Sequence, residues 1–264
     1  MAEERPIPDN TNKRETAETK GDKEAVIKIE HLKKSFGSKE VLKDVSMSLL
    51  EGENLAVLGR SGQGKSVTIK CIAGLLQQDE GTCNVYGQEV KELAENDLRE
   101  LRKKVGFLFQ SGALYDSMTV GENLAFPLTR VMKMTDENEI QKLVVEMLDN
   151  VGLKEAIDKM PSDLSGGMRK RIGLARTLIM KPQIMLYDEP TTGLDPITSK
   201  EISKLILDMQ KKYKTSSIII THDMLCAKIT SDRMLVLNDG KFIAEGTYDE
   251  LEHSEDKLVS SFFK

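Results

Sequence analysis

Gly59-Arg60-Ser61-Gly62-Gln63-Gly64-Lys65-Ser66 fits the phosphate-binding pattern G-x-x-x-x-G-K-[ST] at every fixed position. The backbone N–H groups of Ser61 to Ser66 would form a concave nest for a β-phosphate at a helix N-terminus, where the dipole favours anions. Glycine is required where a Cβ would obstruct the turn or the close approach. Lys65 would reach the β- and γ-phosphates as a point charge, and Ser66 would place its hydroxyl on Mg2+. Far downstream, Ile184-Met185-Leu186-Tyr187-Asp188-Glu189 sets two acids at the end of an apolar run. Strand ends of that kind line the ligand crevice of an open α/β sheet. Asp188 would bind Mg2+ through water, and Glu189 is the candidate general base that polarises an attacking water. A solvated strand edge is the plainer account of two adjacent acids, but it leaves the following Pro-Thr-Thr-Gly-Leu-Asp195 unexplained.

These side chains need a frame. Residues 53–58 (Glu-Asn-Leu-Ala-Val-Leu) read as a strand running into the phosphate loop, and 66–76 as the helix leaving it. Strand, glycine turn and helix are the context the motif requires, which disfavours a chance match. An alternating run at 26–30 (Val-Ile-Lys-Ile-Glu) predicts a half-exposed strand, with a second over 41–49. Further strands are predicted over 105–109, 183–187, 217–220 and 234–237. Thr135 or Asp136 can cap a helix on which Ile140, Leu143, Val144, Met147, Leu148 and Val151 keep 3- and 4-residue spacing up to Gly152. Another helix is predicted over 169–179, starting within 164–168 and ending before Pro182. Strands interleaved with helices predict an α/β fold, a mainly parallel sheet with helices on both faces. No internal repeat is visible, so one catalytic unit is expected.

Composition bounds the partners. Among 264 residues, 38 Lys and Arg against 43 Asp and Glu leave a net charge of −5. The length suits one large α/β domain or two small ones, and it can bury a core without staples. Negative charge and the absence of Trp argue against nucleic acid as a partner. Cys71, Cys83 and Cys226 form no C-x-x-C pair and have no His at zinc spacing, which predicts reduced structural thiols. No apolar run approaches the ~20 residues that span a bilayer, and the N-terminus is too charged for a signal peptide. Residues 1–24 mix seven acids and five bases with almost nothing apolar, which predicts a disordered tail. The folded domain is expected over 25–264.

Leu164-Ser165-Gly166-Gly167-Met168 lies between the phosphate loop and the acidic strand, and it changes what the motifs mean together. On these residues the chain resembles the ATP-binding cassette (ABC) ATPases, over residues from about 26 to 246. The resemblance implies a P-loop NTPase with a RecA-like core, an N-terminal antiparallel β-subdomain and an inserted α-helical subdomain over about 112–178. It implies a head-to-tail homodimer that sandwiches two ATPs, each chain's Ser165, Gly166 and Gly167 closing the other's phosphate loop. ATP would contact Gly59, Arg60, Ser61, Gly62, Gln63, Gly64, Lys65, Ser66 and Val67. Gln110 resembles the Q-loop glutamine that ligates Mg2+ and senses the helical subdomain. His222, followed by Asp223, resembles the switch histidine that contacts the γ-phosphate and positions the water. Asp195 resembles the D-loop aspartate that crosses the dimer interface. Phe36 stands where the family usually has an aromatic, more often Tyr, stacked on adenine, and it offers the same π face. A strand-edge core aromatic is the alternative there. Catalytic roles then fall to Lys65, Glu189 and His222, and metal ligation to Ser66, Gln110 and Asp188.

Two classes of cassette share this outline: the energy-coupling subunit of a membrane transporter, and a soluble or cell-division-type regulatory ATPase. A single cassette without zinc modules or basic linkers favours the first, whose multi-span permease would hold it at the cytoplasmic face of the inner membrane. The segment from Phe109 to Leu128, Met168 where the family usually has Gln, and Asp195-Pro-Ile-Thr198 resemble the ATPase of Mla-type phospholipid transporters. That likeness implies a periplasmic lipid-binding subunit as a further partner; an importer of another substrate is the alternative. Some Mla-type ATPases carry a C-terminal extension around the dimer mate, whereas this sequence runs to Lys264, soon after Gly246, which leaves such a clasp open.

Overall fold

The computed structural model describes residues 24–263; the tail expected over 1–24 lies outside them but for Glu24. The chain opens with a long antiparallel hairpin of β1 (Ala25–Phe36) and β2 (Lys39–Leu50). Period-2 burial fixes its inward face: Ile27, Ile29, Leu42, Val45, Met47 and Leu49 are buried. β3 (Asn54–Leu58) leads through the phosphate loop into α1 (Lys65–Ile72). β4 (Glu80–Val85) returns antiparallel to β1, with the two-residue β5 (Gln88–Glu89) at the sheet edge. α2 (Glu95–Lys104) carries acids in its first turn and three bases in its last, as the helix dipole favours.

β6 (Val105–Leu108) precedes an inserted group of helices, α3 (Val120–Arg130), α4 (Glu137–Asn150) and α5 (Gly166–Leu178). Then follow β7 (Ile184–Asp188), α6 (Pro196–Tyr213), β8 (Ser216–Thr221), α7 (Met224–Thr230), β9 (Arg233–Asn238) and β10 (Lys241–Gly246). The short α8 (Tyr248–Glu252) and α9 (Lys257–Ser260) complete the described chain.

One ten-stranded sheet runs in the order β5-β4-β1-β2-β10-β9-β3-β8-β7-β6. Its β9-β3-β8-β7-β6 half is parallel, with β3 between β8 and β9. Parallel strands are buried on both faces and so read as continuous apolar runs. In β7, Ile184 and Leu186 face a core shared with α1 and the hairpin, while Met185 and Tyr187 face a second core shared with the inserted helices and α6. Strand alternation thus splits one run between two layers, as the predicted α/β architecture demands. Arg233 joins the two halves of the sheet: it pairs with Glu53 through two nitrogens at 2.7 and 3.1 Å, reaches Glu245 at 2.6 Å, and donates to the Ser48 carbonyl at 2.7 Å.

Several local expectations are adjusted. The helix predicted over 66–76 ends at Ile72, because Gly74 turns to φ 62° and the Leu75 and Leu76 N–H groups fold back onto the Lys70 carbonyl. Asp136 rather than Thr135 caps α4, accepting from Asn138 N at 2.9 Å and Glu139 N at 3.2 Å. The helix expected to start within 164–168 does so: it begins at Gly166, with Ser165 capping it by accepting from Met168 N at 3.2 Å. Among the described residues no helix is long and apolar enough to cross a membrane.

Candidate functional site

The phosphate loop departs from β3 where that strand has β8 on one side and β9 on the other. Gly64, the residue before α1, sits at φ 103°, and a Cβ there would come within 2.6 Å of Leu42 Cδ2 and 3.0 Å of the Val41 carbonyl. Glycine is therefore demanded twice over, by conformation and by space. The loop opens onto a cleft of about 570 Å3 lined by Arg60, Ser61, Gly62, Gly64, Lys65, Ser66, Val67, Gln110, Glu189 and His222, with Val41 and Thr192.

Buried Lys65 donates to the carbonyls of Gly59 at 2.6 Å and Arg60 at 3.1 Å, and its ammonium lies 3.5 Å from Glu189 Oε1. Ser66 Oγ donates to Asp188 Oδ1 at 2.6 Å, joining the α1 N-terminus to the end of β7. Glu189 gathers the rest of the site. Its Oε2 meets His222 Nδ1 at 2.6 Å and accepts from Thr192 Oγ1 at 3.1 Å. Its backbone is left-handed, φ 52°, a conformation that costs a non-glycine residue about 1–3 kcal/mol and persists only when its surroundings enforce it. Here the Glu189 N–H donates to the Ile220 carbonyl at 2.9 Å, and its own carbonyl accepts from Thr192 N at 3.3 Å.

The loop that carries His222 is tied to the same corner. Asp223 caps α7 by accepting from Leu225 N and Cys226 N, and its other oxygen accepts from Thr191 Oγ1 at 2.9 Å. Gln63 is not part of the cleft lining; its side-chain oxygen accepts from Asp239 N at 2.6 Å. Phe36, 48% exposed at the end of β1 with the Lys34 ammonium over its ring, is not part of the cleft lining.

Ser165, Gly166, Gly167 and Asp195 form a separate group away from this lining. A Cβ on Gly167 would meet Thr198 Cγ2 at 2.7 Å and one on Gly166 would meet Leu194 Cδ2 at 3.3 Å, so both glycines let the α5 N-terminus lie on the Leu194-to-Thr198 stretch. Asp195 caps α6, accepting from Ile197 N and Thr198 N at 3.0 Å each. Hydrogen bonds from the Thr198 hydroxyl and backbone hold its carboxyl below the usual carboxylate range.

Three residues escaped the sequence reading. Val41 and Thr192 line the cleft, and Lys170 reaches its back wall. Thr192 lay inside the quoted Pro-Thr-Thr-Gly stretch. Lys170 had a visible signal, a lysine in register with buried Gly173 and Leu174 on a helix face that is otherwise apolar.

Comparison with known proteins agrees with this geometry. The ABC transporter family model matches residues 42–192. The chain is 40% identical over 236 residues to the probable ribonucleotide transport ATP-binding protein mkl of Mycobacterium leprae, covering 89% of this chain and 68% of that protein. It is 39% identical over 258 residues to the protein trigalactosyldiacylglycerol 3, chloroplastic, of Arabidopsis thaliana, covering 91% and 74%. The chain thus spans about two thirds to three quarters of these relatives' length. Among solved structures, it superposes with TM-score 0.76 at 30% identity on a dimeric ATP-binding cassette in a post-hydrolysis state with ADP and Pi, covering 84% of this chain and 98% of that one. It superposes with TM-score 0.79 at 29% identity on cbiO1 of Clostridium perfringens, part of the ABC transporter complex cbiONQ, covering 91% and 95%. The fold and the cleft define a P-loop ATPase. The chain belongs to the ABC transporter family, as an ATP-binding cassette that hydrolyses ATP.

Proposed function

We propose that this cassette energises phospholipid transport between membranes as the ATPase subunit of an Mla-type transporter. Two copies close head to tail on two ATPs, each Ser165-Gly166-Gly167 segment completing the other chain's cleft. The separation of that segment from the cleft within one chain is the observation that carries the dimer, and the dimeric relative supports it. Lys65 and the loop N–H groups hold the β- and γ-phosphates. Glu189 takes the proton of the attacking water, and His222, bonded to its Oε2, orients that water at the γ-phosphate. Ser66, Asp188 and Gln110 supply only oxygens, the hard donors that suit Mg2+ with its retained waters. When bound, that ion would neutralise charge on the phosphate oxygens. Phe36 is proposed at the adenine and Asp195 at the dimer interface.

Residues of about 112–178 serve as the helical subdomain facing a multi-span permease, which holds the cassette peripherally at the cytoplasmic face of the inner membrane. Lipid cargo rests on the 109–128 segment and on Met168, supported by a relative that bears the name of a glycolipid. A periplasmic lipid-binding subunit would complete the system. The test is to purify the cassette with the permease encoded beside it and reconstitute the complex in phospholipid vesicles. ATP-dependent movement of labelled phospholipid is the expected result. The relative named for ribonucleotide transport favours a second reading, and movement of ribonucleotides without lipid would replace the cargo assignment while leaving the ATPase intact.

A further inference from the structure

Lys170 is buried, 7% exposed, and its ammonium serves two carbonyls from two different catalytic loops. One belongs to Gln110, to which Lys170 Nζ donates; the other belongs to Glu189, at 3.3 Å. The same face of α5 holds the Gln110 loop at two further points. A Cβ on Gly173 would come within 2.9 Å of Gly112 Cα, so helix and loop touch backbone to backbone, and Arg176 donates to the Ala113 carbonyl. Loop and helix are therefore joined along their length, and Lys170 extends the join to the end of β7.

The Glu189 carbonyl is a consequential place to attach. That residue keeps its left-handed backbone only while its carbonyl and N–H are held. Turning the peptide would swing the carboxylate off His222 and Thr192. Burial disfavours a charged ammonium here, while the Glu189 and Asp188 carboxylates favour it. A methionine or leucine would fill the same space on α5 without that burial cost. Ser165, the cap of the same helix, lies just over one turn before Lys170.

We infer that Lys170 is a positioning residue: it relays the seating of α5, set at Ser165 by the partner chain's nucleotide, to Glu189 and Gln110 of its own chain. The inference rests on the proposed roles of Glu189 and Ser165. It makes hydrolysis at one site sensitive to occupancy of the other.

Lys170→Met, Lys170→Arg and Lys170→Gln test this in the full chain, by nucleotide affinity and steady-state hydrolysis. Lys170→Met should keep ATP affinity within about threefold and lose about 10²-fold in kcat, the scale of an ångström-level misplacement of a catalytic group. Lys170→Arg, which retains charge and donors, should recover most of that loss. Because Lys170 acts through Glu189, adding Lys170→Met to Glu189→Gln should lower kcat little further, the non-additivity of residues acting as a unit. Should Lys170→Met fail to fold, Lys170→Gln, uncharged and one atom too short to serve both carbonyls, takes its place and should lose kcat likewise. Normal kcat in the folded Met or Gln variant overturns the inference, as does full additivity with Glu189→Gln. Normal turnover in Glu189→Gln alone would instead remove the base assignment, whatever Lys170 does.

Discussion

Ser66 Oγ and Asp188 Oδ1 lie 2.6 Å apart, although 122 positions separate them in the chain. The contact ties the α1 N-terminus, where Ser66 lines the cleft, to the end of β7. Asp188→Asn keeps the shape but removes the charge that would hold a hydrated Mg2+. Apparent Mg2+ affinity in ATP hydrolysis should fall about 10–100-fold, the range for a group acting through metal-bound water. A magnesium titration that superposes on that of the unaltered protein would remove Asp188 from the metal site.

Glu189→Gln should bind ATP as before and hydrolyse it roughly 10²–10⁴-fold more slowly, as loss of a general base requires. The variant keeps a carbonyl oxygen for His222 and Thr192, so it should fold normally. Turnover at the ordinary rate would contradict the assignment.

Mixed dimers of Lys65→Ala and Ser165→Ala chains separate shared from private sites. In a head-to-tail pair, one of the two clefts receives an intact phosphate loop from one chain and an intact Ser165 from the other. Partial recovery of hydrolysis over either pure variant is expected. Equally inactive mixtures would mean that each chain completes its own site.

Asn123 is fully buried, accepts from Tyr115 N at 2.8 Å, and donates to the carbonyls of Tyr115, Met118 and Thr119 at 3.0–3.1 Å. With the Met118 N–H, which donates to the Tyr115 carbonyl at 3.2 Å, it shapes the turn that carries Tyr115, whose ring packs on Phe126 and under Arg176. Asn123→Ala leaves buried backbone groups unpaired, at a cost of about 1–3 kcal/mol. Each kcal/mol should lower Tm by about 2–4 °C for a domain of this size. Permease binding should suffer more than hydrolysis by the free cassette; equal losses would place the turn outside the permease surface.

Burial holds the thiols of Cys71 and Cys226 up at about 11, and that of Cys83 higher still. These folded values lie above the unfolded 9.0, so the stabilisation is complete below that pH and is lost as pH rises towards the folded values. Denaturant midpoints should therefore fall between about pH 8 and about pH 10.5. A thiol reagent near neutral pH should label all three cysteines only after unfolding; rapid labelling of native protein would contradict their burial.

What the sequence disclosed follows the range of the interactions. The phosphate loop, the α4 cap and the apolar strands are local patterns, visible without a fold. α6 also carries a local signal, an Asp-Pro that supplies cap and first-turn proline. α3 was obscured by Pro127 within it, and β4 by its exposed first three residues. For Lys170 the helix register marks an odd lysine on an apolar face but not its use: its two carbonyl partners lie 60 and 19 positions away, and only packing of α5 brings them together. The place of Phe36 stays outside the described cleft because the strand end that carries it stands open to solvent.

Arg233, with its grip on Glu53, Glu245 and Ser48, has a mechanical meaning. Four hydrogen bonds from one guanidinium fasten the seam where antiparallel and parallel strands meet, so parting the two halves of the sheet at that end means breaking all four together.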